Sequence, residues 1–491
     1  MENEKNIKME IEEDSVYYGF IEDENMDRNE SHRVRLPAFI QEYVANAIQV
    51  SKYNNIPAAL TAFNLLGQLC KDKVVIVRGQ GREDTRVPVL WLQTSGTGKS
   101  EMYNFFGPIS RKTFEILNEK HGTNFTIFDV TETTDAALIG SMKQEQEVVE
   151  DEDGNTRTVY VDVQTKGAFE GDGLIVYDEF EYSGVFKQSQ HKENIILYLN
   201  KLMNSIHGEN YIIKKKLKDG DENIICDSKR SPYATSYIPK GLTVVIAEKG
   251  VLQRMLIFIW EVPPEIQDEI RKSVISEVGK EVNRIAPVNK FANGFVKIYE
   301  TLDERFKEVN ENPKAVVSYS EDYTDALMRE YENMKAYVAD SRPEVFEIAN
   351  NFITRMNNQI IRMSVLCCIA EAPSIRDKSK RYIVNSNHVL QASSLVRQCY
   401  KSLVSWLDVA LKVQKETLQE RANIGAFKES YLELKDNDGW VNKTMLLAEV
   451  RVKTRKGSST IYKWWRKIEN NFEENRVHKK VYVKLKEEKK K

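Results

Sequence analysis

The stretch VPVLWLQ–TSGTGKS–EMYNFF, residues 87–106, constrains this chain more than any other. A run of apolar, strand-favouring residues enters a loop with glycines at 96 and 98, and helix-forming residues follow directly. A strand that turns through glycines into a helix gathers backbone N–H groups and the partial positive charge of a helix start around one point, a cradle for an anion. Gly96 and Gly98 let the backbone curl there without Cβ interference. Lys99 adds a cation and Ser100 a hydroxyl. The pattern G-x-x-x-x-G-K-[ST] is met except at its first position, where Gln93 stands. A bare G-K-[ST] arises by chance in roughly a quarter of chains this long, so the strand before it and the helix after it carry the weight.

A second segment, GLIVYDE (residues 173–179), is an apolar strand that ends in two acids. Together the two segments specify a nucleoside triphosphate site. Ser95, Gly96, Thr97, Gly98 and Lys99 would wrap the phosphates, with Lys99 reaching the β- and γ-phosphates. Ser100 and Asp178 would hold Mg²⁺, and Glu179 would orient or deprotonate the attacking water. The expected cofactors are ATP and Mg²⁺.

Around these segments, apolar strands alternate with helical patterns, which predicts an α/β layer with a mostly parallel sheet. Residues 34–75 read as an N-terminal helical segment and 76–263 as the core. Two hairpins interrupt the core, one turning at Asp153-Gly154 and one near Asp219-Gly220. The second is expected to return as far as Asp227, with LTVVIAE (242–248) and RMLIFIWEV as the next strands. Residues 264–420 are mostly helical, a lid, and 424–491 a small separate domain.

Charge is uneven although the net value is only -3. Residues 1–31 hold eleven acidic and three basic side chains, and 439–491 hold sixteen basic and six acidic. Residues 1–33 are expected to be disordered and the basic end to bind an anion. Five cysteines without a C-x-x-C pair point to a reducing, cytoplasmic compartment and away from a zinc ribbon or disulfide framework. No apolar run is long enough for a membrane span, and the six histidines show no metal-ligand spacing.

With these motifs placed, the chain resembles the AAA+ replicative helicases of the minichromosome maintenance (MCM) kind and the helicase-like ATPases of phage and plasmid replication modules. LPAFIQEYV, SGTGKS and GVLQRMLIF carry the likeness to the second group. TTDAALIGS, the first hairpin and the acidic strand follow the order of the first. LNKLMNSIHGENYIIKKKL is similar to the MCM helix and hairpin that enter a central channel, which implies Lys214, Lys215 and Lys216 on single-stranded DNA. GVLQRMLIF resembles the segment with an arginine finger, which falls on Arg254. FITRMNNQIIRMSVLCCIAE resembles the lid helix with a sensor arginine, which falls on Arg355, with Arg362 on a second arginine of structural role. The chain departs from the family where LTVVIAE ends in Glu248 rather than a polar neutral residue, and where Asn358 replaces a glutamate. A RecA-type core stays open beside the AAA+ one.

The basic end, WVNKTMLLAEVRVKTRKGSSTIYKWWRKIENNF (440–472), predicts helix, turn, helix and then a hairpin about Glu474-Asn475, a winged-helix pattern. The first helix is expected to hold Met445, Leu446 and Val450, and Tyr462, Trp465 and Ile468 of the second are expected to form core. Lys463, Arg466 and Lys467 then face outward, able to meet DNA phosphates.

The reading is therefore an α/β P-loop NTPase of AAA+-like type, with a parallel-sheet core, a helical lid and a C-terminal winged helix. The expected activity is that of an ATP-driven hexameric DNA helicase or translocase in replication. A replication initiator or helicase loader that binds DNA without unwinding it is the alternative, and a non-enzymatic DNA-binding scaffold the third.

Overall fold

The structure, a computed structural model, describes residues 36–78, 81–130, 134–150, 156–183, 185, 193–204, 212–216, 223–238, 250–276, 285–307, 315–371, 382–478 and 480–486. The acidic leader and LTVVIAE lie outside them. The chain is a mixed α/β protein that divides into two compact units, residues 1–408 and 409–491. Among the described residues no helix is long and apolar enough to cross a membrane.

Five parallel strands form the centre of the first unit: β1 (Val89–Gln93), β2 (Phe125–Asp129), β3 (Gly171–Tyr177), β4 (Asn223–Ser236) and β5 (Leu256–Trp260). Their order is β5-β1-β4-β3-β2. β1 and β5 are buried at every residue, as continuous apolar runs must be when both faces of a parallel sheet are covered. β1 and β5 pair from Val89↔Leu256 to Gln93↔Trp260.

β4 corrects the sequence reading. The chain does not leave the sheet at Asp227 but runs on to Ser236, and this stretch fills the slot between β1 and β3. Its polar residues Ser228, Arg230, Ser231, Thr235 and Ser236 are buried. Partners replace water for three of them: Ser231 Oγ accepts from Asn64 Nδ2 at 3.1 Å, Thr235 Oγ1 donates to Asp178 O at 2.7 Å, and Arg230 is held at several points. The Arg230 guanidinium donates to the carbonyls of Glu170 (3.0 Å), Thr126 (3.1 Å) and Leu174 (3.2 Å) and to Thr126 Oγ1 (2.8 Å). Pro232 sits inside the sheet because β1 begins pairing only at Tyr233. On that open flank Asn64 Nδ2 reaches Pro232 O at 3.0 Å and Val87 O at 2.8 Å.

Helices cover the sheet. α1 (Ala38–Val50) leads through a tight corner into α2 (Asn55–Cys70), which is buried almost all round, as its largely apolar composition requires. α3 (Lys99–His121) follows β1. Phe39 and Tyr43 of α1, Phe105 of α3, and Phe291 and Phe295 of the helix Ile285–Lys307 meet edge-on, with ring centroids 5.0 to 6.1 Å apart. Each such pair adds about 0.5–1.5 kcal/mol beyond its buried area. The helix Phe346–Glu371 buries Cys367 and Cys368, as expected.

Two hairpins extend from the amino ends of β3 and β4. The first pairs Ser141–Glu150 with Thr156–Thr165 over ten residues, and the second pairs Ile212–Lys216 with Asn223–Asp227.

In the second unit a helix (Lys443–Thr454), a helix (Ser458–Ile468) and a hairpin (Phe472–Val477 with Lys480–Leu485) enclose a small core. The core contains Leu446, Leu447, Val450, Ile461, Trp465, Ile468 and Phe472. One of the expected core residues is instead exposed, Tyr462, and Met445 of the first helix is exposed as well. The second helix presents Ile461, Trp465 and Ile468 at i, i+4 and i+7, so Tyr462 is rotated outward. The hairpin turns at His478, with φ 46°, rather than at Glu474-Asn475.

Candidate functional site

The carboxyl end of the parallel sheet brings the two sequence segments together. Thr94 through Gly98 turn between β1 and α3. Gly96 (φ 72°) and Gly98 (φ 102°) both lie in the left-handed region. At Gly98 there is a second constraint: a Cβ would stand 2.6 Å from Ser51 Oγ and 2.7 Å from Asn54 Nδ2. Nothing lies within 4 Å of a Cβ built on Gly96, so that flank of the loop is open. Ser95, Gly96 and Ser100 are exposed, while Thr97 and Gly98 are buried.

Gln93, the departure from the glycine pattern, is wholly buried and braces the loop from below. Its Oε1 accepts from Trp91 Nε1 at 2.6 Å, and its Nε2 donates to Asn54 Oδ1 (2.9 Å) and Thr97 Oγ1 (2.8 Å). Asn54 Nδ2 donates to Thr97 O (2.9 Å), and Ser51 Oγ to Gly98 O (2.6 Å). The Thr97 and Gly98 carbonyls are thereby engaged on the inner side of the loop. Ser51 and Asn54 belong to no motif and could not be read from sequence; they matter because the corner between α1 and α2 packs beneath the loop. On the other flank Val262 N donates to Thr94 Oγ1 at 3.0 Å.

Lys99 Nζ folds back over the loop, donating to Gln93 O (2.8 Å) and Thr94 O (3.0 Å). Burial pulls its amine down to about 8, offset only in part by the Asp178 and Glu101 carboxylates. Asp178 is therefore close enough to act on Lys99 through its charge. β4 separates β1 from β3, so Lys99 and Asp178 spring from strands two steps, roughly 10 Å, apart. Asp178 and its neighbour Glu179 are exposed at the end of β3. Asp178 is held from β4: Thr235 Oγ1 donates to its backbone O at 2.7 Å and lies 3.4 Å from its Oδ1. Thr235 was missed because SKRSPYATS carries no apolar alternation, although it lies at the end of the strand between the two motif strands.

Arg254 and Arg355 share a different cleft, with Glu83, Asn358, Gln359 and Arg362. Arg254 ends a short helix, Gly250–Arg254, just before β5. Since Leu256 pairs with Val89, this cleft lies at the amino end of the sheet, about 16 Å of strand away from the glycine loop. Arg254 Nη1 donates to Asn200 Oδ1 at 3.0 Å and to Gly250 O at 2.9 Å. Burial, and then the neighbouring Arg355 guanidinium, hold Arg254 below the usual arginine range. Arg355 is half-buried and has no hydrogen-bond or ion-pair partner among the described residues. Arg362 differs: it pairs with Glu83 at 3.4 Å and donates to Arg86 O at 3.2 Å, a structural role. Asn358 accepts from Arg78, which also pairs with Glu83. Glu83 thus pairs with both Arg78 and Arg362 beside Asn358.

The strand Ile212–Lys216 contains Lys214, Lys215 and Lys216, whose side chains lie outside the described residues. In the second unit Lys463, Arg466 and Lys467 are exposed on the face of their helix opposite Ile461, Trp465 and Ile468. Among the described residues no trio of His, Cys, Asp or Glu is grouped to hold a metal alone. A hard cation at the first site would be shared between one hydroxyl, one carboxylate and its ligand's phosphates. No family model matches the chain, and no curated protein matches it.

Proposed function

We propose that the chain is an ATP-driven DNA translocase, a ring-forming P-loop helicase of AAA+-like type with a C-terminal winged helix, acting in replication. The observation that carries this reading is that Lys99 and Asp178 stand at the same carboxyl end of the parallel sheet, beside a loop with two left-handed glycines. The donor set fits a magnesium triphosphate. Ser95 to Lys99 offer N–H groups and a cation to phosphate oxygens, and Ser100 and Asp178 offer the two oxygen ligands that Mg²⁺ takes from protein in such sites. Bound ATP–Mg²⁺ supplies the phosphoanhydride bond whose hydrolysis releases the driving free energy. Glu179, exposed beside Asp178, orients the attacking water and takes its proton. Thr235 fixes Asp178.

Arg254 and Arg355 stand too far from Lys99 to serve the same nucleotide. Two guanidinium groups side by side, one without a partner among the described residues, suit an anion brought by a neighbouring subunit. The ring reading, with six subunits, rests on that argument. Lys214, Lys215 and Lys216 would follow single-stranded DNA in the ring, and Lys463, Arg466 and Lys467 would meet phosphates at the second unit. Five buried, unpaired cysteines suit a cytoplasmic setting.

The exposed basic helix also suits a second reading, an initiator or loader that grips duplex DNA without moving along it. Lys99→Ala and Glu179→Gln are each expected to abolish DNA-stimulated ATPase, and the native chain to displace a strand from a forked duplex. Unchanged turnover in both variants would defeat the catalytic assignment. Turnover with duplex binding but no displacement would favour the loader.

A further inference from the structure

We infer that Gln164 is a positioning residue: its carboxamide rivets the long hairpin to β4, so that both hairpins and the strands ending at Asp178 and Thr235 move as one body. The inference rests on the translocase reading for its consequence, though not for its geometry.

Gln164 lies one residue from the root of the first hairpin. Its Nε2 donates to Ile225 O at 2.7 Å, and its Oε1 accepts from Ile225 N at 3.2 Å. A primary amide has the donor–acceptor pattern of a peptide unit, so Gln164 does for Ile225 what a flanking strand would do. Ile225 lies opposite Lys214 in the second hairpin, and the rivet therefore joins the two hairpins directly.

The root itself is stiff. A Cβ on Gly140 would stand 2.1 Å from Thr165 O, and one on Gly167 2.4 Å from Gly140 N and from Leu138 O, so the two crossing strands touch backbone to backbone. Ala168 N and Phe169 N donate to Ala137 O and Leu138 O, each at 2.8 Å, and β3 begins two residues later. β3 and β4 already pair from Gly171↔Ser228 to Tyr177↔Ala234, and Thr235 on Asp178 at the carboxyl end and Gln164 on Ile225 beyond the amino end extend that hold in both directions. A displacement of Asp178 along the strand axis is carried to both hairpins together. Without the rivet the first hairpin is a two-stranded arm with Val148 and Tyr160 well exposed, and such arms hold their direction poorly in water.

All five native cysteines are buried, so nitroxide labels can be directed to Val148→Cys and Asp227→Cys, both exposed sites. In the otherwise native chain the label–label distance is expected to be single and narrow. Gln164→Leu broadens it. Gln164→Glu, which accepts but cannot donate when ionised, falls between. Gln164→Leu leaves the basal ATPase and the affinity for single-stranded DNA unchanged, while stimulation of the ATPase by that DNA falls about tenfold, the scale of the two lost bonds. A narrow distance in Gln164→Leu overturns the rivet, and a broad distance with stimulation intact overturns its coupling role. If the native chain shows no DNA-stimulated ATPase, the translocase reading fails, and the distance measurement alone still decides whether the hairpins are joined.

Discussion

Replacing Gln93 by glycine completes the G-x-x-x-x-G-K-[ST] pattern, and motif logic expects it to be harmless or helpful. The structure predicts the reverse. Gln93 and Trp91 are both fully buried, and Gln93 Oε1 is the acceptor for the indole N–H at 2.6 Å. In Gln93→Gly that donor stays buried without a partner, a cost of about 1–3 kcal/mol. Asn54 Oδ1 and Thr97 Oγ1 lose their donor, about 1 kcal/mol more. A glycine inside a strand adds about 0.5–1 kcal/mol. The expected loss is therefore about 3–5 kcal/mol. Part of it falls on the loop alone, because the brace on Thr97 and Gly98 weakens while the sheet survives. Urea unfolding measures the first part, and titration with a fluorescent ATP analogue the second. Nucleotide affinity is expected to fall at least tenfold. A Gln93→Gly chain as stable as the native one, binding nucleotide as tightly, would refute the claim that this side chain is the loop's support.

Other outcomes follow from the same geometry. Because burial brings Lys99 down to about 8, its amine is charged below that pH and neutral above it. A bound phosphate favours the charged form, so ATP affinity is expected to fall as pH rises through about 8, by up to about tenfold per unit, with proton uptake on binding above that point. Calorimetry at pH 7 and 9 in buffers of different ionisation enthalpy reads both. Arg355→Ala removes a like charge from beside Arg254; the unfolding midpoint should hold or rise and nucleotide binding stay intact while turnover collapses, whereas a marked drop in the midpoint would make Arg355 structural. Changing Lys463, Arg466 and Lys467 together to alanine should flatten the slope of log K against log salt for duplex DNA by about 2.7, three phosphate contacts at about 0.9 each. An unaltered slope would place the contact elsewhere.

The sequence reading located β1, α3 and β3 because each combines a strong apolar or helical period with an unmistakable boundary, glycines in one case and paired acids in the other. It failed on β4. A central strand reading SKRSPYATS has no period and contains a proline, and its burial depends on Asn64 and on carbonyls of Glu170, Thr126 and Leu174, all distant in sequence. Tyr462 and Ile461 were exchanged because a spacing of three fits a helix nearly as well as a spacing of four, and only the packing partners Phe427 and Phe472 around Trp465 decide the angle. The Ser51–Asn54–Gln93 brace was invisible for another reason: each residue is unremarkable alone, and the chemistry arises only where α1, α2 and β1 converge.

The two ends of the parallel sheet carry different charge groups, Lys99 and Asp178 at one and the crowded pair Arg254 and Arg355 at the other. On the translocase reading, a single chain is two unfinished workplaces. Stacking head to tail completes each of them, and a closed circle leaves none over. Output per molecule would then depend on concentration, vanishing on dilution although every copy remains folded. A small admixture of Arg355→Ala copies would silence neighbours whose own sequence is intact.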